Sequence, residues 1–121
     1  MELVKTKLDG VYIVEPKVYG DNRGWFMETY SEKAFKDAGI DVTFVQDNHS
    51  YSAQKGVLRG LHFQLNPMSQ AKLLRVLRGT LLDVVVDIRK GSPTYGQWIS
   101  VELSADNKKE IFMPRGMAHG F

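Results

Sequence analysis

Short β-branched or aromatic runs, each soon closed by Gly, Asn, Asp or Pro, restrict the fold open to this chain more than any other feature. They predict strands near Val11 to Glu15, Trp25 to Tyr30, Thr43 to Asn48, Val57 to Leu65, Lys72 to Leu77, Thr80 to Arg89, Gln97 to Leu103 and Glu110 to Met113. One stretch has a helical pattern. Ser31 can cap a turn over Glu32 to Ala38, with Ala34, Phe35 and Ala38 on one face and Gly39 as the stop. Arg78-Gly79 is expected to close a tight hairpin, Ser104 to Asn107 a longer one, and Gly91-Ser92-Pro93 a loop. Many short antiparallel strands with one short helix predict an all-β sandwich or barrel, for which a jelly roll buries strands with few exposed edges.

The 121 residues fit one domain, residues 1–121, long enough to bury a core without a disulfide or structural metal. The absence of cysteine removes thiol nucleophiles, zinc ribbons and disulfide scaffolds from consideration. A net charge of +2 is too small and too dispersed for a chain that coats nucleic acid, so no nucleic-acid partner is expected. The most apolar run, Leu81 to Val86, is interrupted by Asp83 and followed by Asp87, far short of a membrane span. The start, Met1-Glu2-Leu3-Val4-Lys5, lacks the features of a secretory signal, and a cytoplasmic location is expected.

The densest polar cluster within apolar sequence is Val57-Leu58-Arg59-Gly60-Leu61-His62-Phe63-Gln64-Leu65. In a regular strand Arg59 and His62, three apart, point to opposite faces. A bulge at Gly60 would shift the alternation by one and turn both toward the same cavity. The plainer reading is a polar strand face wetted by solvent. Lys72 and Arg75 likewise fall on opposite faces of one strand. An inward lysine serves to meet an anion or developing negative charge, whereas an edge lysine discourages sheet aggregation. Asp83 and Asp87 share a face of the most apolar strand and need partners there. For Asp87 a structural ion pair with Arg75 or Arg89 is the better reading, and Asp83 is the candidate for a cavity.

The histidines, His49, His62 and His119, lie on separate segments, the last after the turn Pro114-Arg115-Gly116. A three-histidine metal site is the rival reading. Metal-binding jelly rolls typically use His-x-His, and the second position here is Gln64, a poor ligand for transition metals, so no metal is expected. Arg23 and Arg59 can each clamp a phosphate bidentately, with Trp25 and Phe26 available to stack on a base or sugar. There is no glycine-rich phosphate loop, so anion recognition falls to side chains.

Taken together, Arg23-Gly24-Trp25-Phe26-Met27-Glu28, Phe44 to Ser50, Gly56 to His62, Gln70-Ala71-Lys72-Leu73, Val86 to Arg89 and Pro114 to Phe121 resemble, in order, the dTDP-4-dehydrorhamnose 3,5-epimerase family. The resemblance implies a cupin-type jelly roll and a cofactor-free epimerase. Its substrate would be a dTDP-linked 4-keto-6-deoxyhexose, inverted at the carbons flanking the ketone. It also implies roles. His62 would be the base, Lys72 the donor to the enolate oxygen, and Arg23, Phe26, Glu28, Gln46, Asp47, Asn48, Arg59 and His119 the binding residues. Because the family's N-terminal strand reaches the neighbouring subunit, a homodimer is expected.

Members of that family continue beyond the position of Phe121 through further strands, which carry a general-acid tyrosine and an aspartate paired with the catalytic histidine. Neither has a counterpart in this chain, which is therefore expected to lack the last strands, and Asp83 is the substitute candidate for orienting His62. A 3-epimerase, a ketoisomerase, a metal-dependent cupin and a catalytically silent jelly-roll fragment are the rival readings.

Overall fold

The computed structural model describes residues 1–121. Its strands are β1 (Glu2–Lys5), β2 (Tyr12–Glu15), β3 (Val18–Asp21), β4 (Gly24–Met27), β5 (Lys72–Arg75), β6 (Thr80–Asp87), β7 (Trp98–Ser104), β8 (Glu110–Met113) and β9 (Met117–Gly120), with one helix, α1 (Glu32–Asp37). All pairings are antiparallel. One sheet runs β1-β2-β8-β5, a second β7-β6-β9, and β3-β4 is a hairpin paired only with itself.

The registers decide what each strand buries. Leu74 lies opposite Ile111 and Lys72 opposite Met113 on the first sheet. On the second, Val85 lies opposite Ile99 and Leu81 opposite Leu103. Since side chains alternate along a strand, these residues look inward from the two sheets. Ile111, Met113, Val85, Leu103 and Met117 meet there with Leu8 and Val11 in one apolar cluster. The chain is thus an all-β jelly-roll sandwich, as expected.

The outer face of the first sheet is also covered. Val14 and Phe112 pack there against Phe35 of α1 and Ile40. Ser31 caps α1 by accepting from the Ala34 amide at 3.2 Å. At the other end the Ile40 amide donates to Phe35 and the Gly39 amide to Lys36, a closure made by Gly39 at φ +92°. Six residues make a marginal helix in isolation, so the burial of Phe35 is what holds it.

Several expectations were overturned by tertiary context. Arg78-Gly79 links β5 to β6, which lie in different sheets, so it is a corner and no hairpin turn. Ser104 to Asn107 is a second such corner, between β7 and β8. The two corners are tied by the Ala105 amide donating to Gly79 at 3.0 Å. Thr43 to Asn48 forms no strand and makes no backbone hydrogen bond to other backbone. Val57 to Leu65 forms no continuous strand either, and meets β9 only around Arg59 and His62. Strand propensity becomes a strand only where a neighbouring edge offers partners. For the same reason β1, β3 and β9, unremarkable as sequence, are strands.

Candidate active site

The site begins where residues 59–62 meet β9. Arg59 exchanges backbone hydrogen bonds with Phe121 (2.6 and 2.8 Å), and His62 exchanges them with His119 (2.8 and 3.1 Å). Between those pairs Gly60 and Leu61 face Gly120 alone. That extra residue is a β-bulge, where the sequence suggested one, with Gly60 at φ +115°. Because Phe121 and His119 are two apart on one strand face, the bulge puts Arg59 and His62 on that face as well. The backbones approach so closely that a Cβ on Gly60 would lie 2.7 Å from Gly120 Cα, and one on Gly120 would lie 2.7 Å from the Arg59 carbonyl oxygen. Sequence reasoning singled out Gly60 but passed over Gly120, whose only signal was a second glycine beside a histidine.

His119 is the centre of this cluster. Its ring lies 6.1 Å from that of His62 and 6.3 Å from that of Phe121, centroid to centroid. Opposite Val85 on the inner face of its sheet, it is diagonal to Asp83, whose Oδ1 lies 3.5 Å from His119 Nδ1. Asp83 therefore sits beside His119, and both its oxygens are without hydrogen bonds, so it does not orient His62 as suggested. The reason is the register. Asp83 belongs to β6, which pairs directly with β9, whereas residues 59–62 lie beyond β9.

The other candidates are distributed around this centre. Arg59 is held by Ser52 Oγ (3.1 Å) and the Tyr51 carbonyl (3.0 Å), which fixes its guanidinium. Lys72 is half-buried at the start of β5 on the inward face, and Arg75 faces out of the sandwich toward Glu110. Gln46 donates to Gln70 at 3.3 Å, which ties the segment carrying Asp47 and Asn48 to the residues just before β5. Arg23, Phe26 and Glu28 lie on or just after the β3-β4 hairpin and are exposed. Arg23 is engaged with Asp21 at 2.6 Å, a contact that lowers the carboxyl's pKa. The structure does not bring these three to the His62 cluster.

Two other features have structural roles. Asp87, fully buried, accepts from the Arg89 guanidinium and amide and from Ser92 and Thr94, the last two at 2.6 Å. Burial alone would raise its pKa, and these bonds hold it well below the carboxylate range instead. The ion pair with Arg89 is thus found, and it pins the β6–β7 loop. A cavity of about 100 Å³ lies between Trp25, Met27, Arg75 and Lys108. It is smaller than a nucleotide-sized ligand requires and lies away from the histidines.

This is a jelly roll that places Arg59, His62 and His119 on one face beside β9 and turns Lys72 inward from the opposite sheet, side chains whose chemistry suits acid–base work on an anionic ligand. The dTDP-4-dehydrorhamnose 3,5-epimerase family model matches residues 5–121. A Shigella flexneri dTDP-4-dehydrorhamnose 3,5-epimerase is 57% identical over 122 residues, spanning all of this chain and 67% of that protein. The enzyme of that name from Methanothermobacter thermautotrophicus is also 57% identical, over 98% of this chain and 63% of its own. A Bacillus anthracis dTDP-4-dehydrorhamnose 3,5-epimerase, solved with TDP and pyrophosphate bound, superposes with a TM-score of 0.96 at 48% identity, covering 99% of this chain and 69% of that one. A Legionella pneumophila epimerase solved with dTDP-4-keto-L-rhamnose gives 0.93 at 52% identity, over 99% and 63%. The chain belongs to the dTDP-4-dehydrorhamnose 3,5-epimerase family, and it spans about two thirds of the length of these relatives.

Proposed function

We propose that this chain, a single jelly-roll domain, binds a dTDP-linked 4-keto-6-deoxyhexose and epimerises it at the carbons flanking the ketone. His62 removes the proton from such a carbon, and the electron pair moves onto the C4 oxygen as an enolate. Return of a proton from water to the opposite face inverts the centre, and the protonated His62 gives its proton up to solvent. Imidazole suits this base role near neutral pH, and a positioned base contributes roughly 10² to 10⁴ in rate. The Lys72 ammonium stabilises the enolate oxygen. Arg23, Phe26, Glu28, Gln46, Asp47, Asn48, Arg59 and His119 hold the nucleotide sugar, the first three acting across a homodimer. Acid–base chemistry beside a ketone needs no cofactor or metal. No helix is long and apolar enough to cross a membrane.

The observation that supports this reading most is the bulge at Gly60, which gives Arg59, His62 and His119 a common face. The test is NMR of dTDP-4-keto-6-deoxyglucose in deuterated water with the chain, following exchange at C3 and C5. Exchange at both carbons that disappears in His62→Ala is the expected result. Exchange at C3 alone would make the chain a 3-epimerase. Binding without exchange would make it a ligand-binding jelly roll.

A further inference from the structure

His119 and Asp83 form a pair that the roles above leave unexplained. Asp83 is 0% exposed and His119 7%. Neither Asp83 oxygen has a hydrogen bond, nor does His119 Nδ1, and all three atoms are sealed from solvent. A buried carboxylate left alone is costly, and one cation or polar hydrogen at hand relieves that cost. His119 Nδ1, 3.5 Å from Oδ1, is the only such group of a titratable cation within ion-pair reach of Asp83. That distance is at the outer limit of a hydrogen bond.

The two ring nitrogens of His119 are in different surroundings. Nδ1 is enclosed against Asp83, whereas Nε2 is not among the sealed atoms. A carboxylate can only accept, so it selects the imidazole form with hydrogen on Nδ1. Nε2 is then the nitrogen offered on the face shared with His62 and Arg59.

We propose that Asp83 is a positioning residue that fixes the ring of His119 with Nδ1–H turned into the sandwich and Nε2 turned toward a ligand at the His62 face. The step from ring orientation to ligand contact rests on the substrate reading above. The orientation itself does not.

The test is long-range ¹H–¹⁵N NMR of the chain labelled at histidine nitrogen, at mildly alkaline pH, in the wild type and in Asp83→Asn. The wild type should show His119 protonated at Nδ1. The asparagine carboxamide can donate as well as accept, so the variant should populate the Nε2–H form while His49 keeps its wild-type pattern. Protonation of wild-type His119 at Nε2 alone would overturn the proposal, as would an identical pattern in the variant. The wild-type spectrum decides even if the variant fails to fold. Adding dTDP-4-keto-6-deoxyglucose should then move Nε2 more than Nδ1. An unmoved Nε2 in a chain with the expected Nδ1 proton would count against the substrate reading and leave the Asp83–His119 coupling supported.

Discussion

At the scale of single residues, the informative groups are polar ones that the fold takes inside. Lys72 was ambiguous as sequence, because a strand with Lys72 and Arg75 on opposite faces has no inherent inside. The register with β8 resolves it by placing Lys72 on the Met113 side. If its ammonium meets the enolate oxygen, Lys72→Met should slow deuterium exchange by roughly 10² to 10³, as removal of other oxyanion donors does. Its melting temperature should change little, and unaltered exchange would remove the assignment. Glu110 is a different case. It lies opposite Val14 and Arg75, 1% exposed, with neither oxygen hydrogen-bonded. Burial raises its pKa from 4.5 to about 7, partly offset by Arg75. The folded chain therefore holds this proton more tightly than the unfolded one. Stability from this group is fullest below pH 4.5 and is lost as pH rises through about 7. Denaturant unfolding at pH 5 and pH 8 should show Glu110→Gln losing less stability than wild type over that interval. The difference should be at most roughly 3 kcal/mol, and parallel pH profiles would contradict the linkage.

At the scale of elements, the contact between residues 59–62 and β9 rests on paired backbone hydrogen bonds, and two glycines make that close approach feasible. A methyl group on Gly120 would meet the Arg59 carbonyl oxygen and force the segments apart. Gly120→Ala should therefore displace Arg59 and His62 together, and a misplacement of about 1 Å can cost on the order of 10² in rate. The sandwich cluster of Val85, Leu103 and Ile111 does not include this contact, so far-UV circular dichroism should stay close to wild type. Full exchange activity in Gly120→Ala would show that the bulge does not set the site. The bulge was legible from the sequence because Gly60 sits between two polar residues whose spacing conflicts with a regular strand. The corners at Arg78-Gly79 and Ser104 to Asn107 were not, because a turn sequence does not reveal whether the next strand rejoins the same sheet.

At the scale of the whole molecule, the segment between α1 and β5 leaves large apolar side chains in water. Val45 is 83% exposed, Leu58 82% and Leu65 75%, and Phe63 and Met68 are more than half exposed. These side chains come from one run of chain, the pattern of a surface that associates. The β5 and β7 edges add unpaired backbone groups. Sedimentation velocity should show concentration-dependent self-association of the wild type. Leu58→Asp combined with Leu65→Asp should shift the distribution toward monomer, and equal behaviour of both proteins would place the contact elsewhere.

The sequence by itself determined the strand-rich class, the capped helix, most of the strands of the two sheets and the family, because these rest on local periodicity, turn chemistry and residue strings. It also exposed the conflict at Gly60. Tertiary structure alone decided that Asp83 lies beside His119, that Lys72 faces inward, and that Thr43 to Asn48 has no partner strand. Each of these depends on which edges are adjacent and in what register. A one-residue difference in register exchanges inside for outside, and nothing in the local sequence sets it.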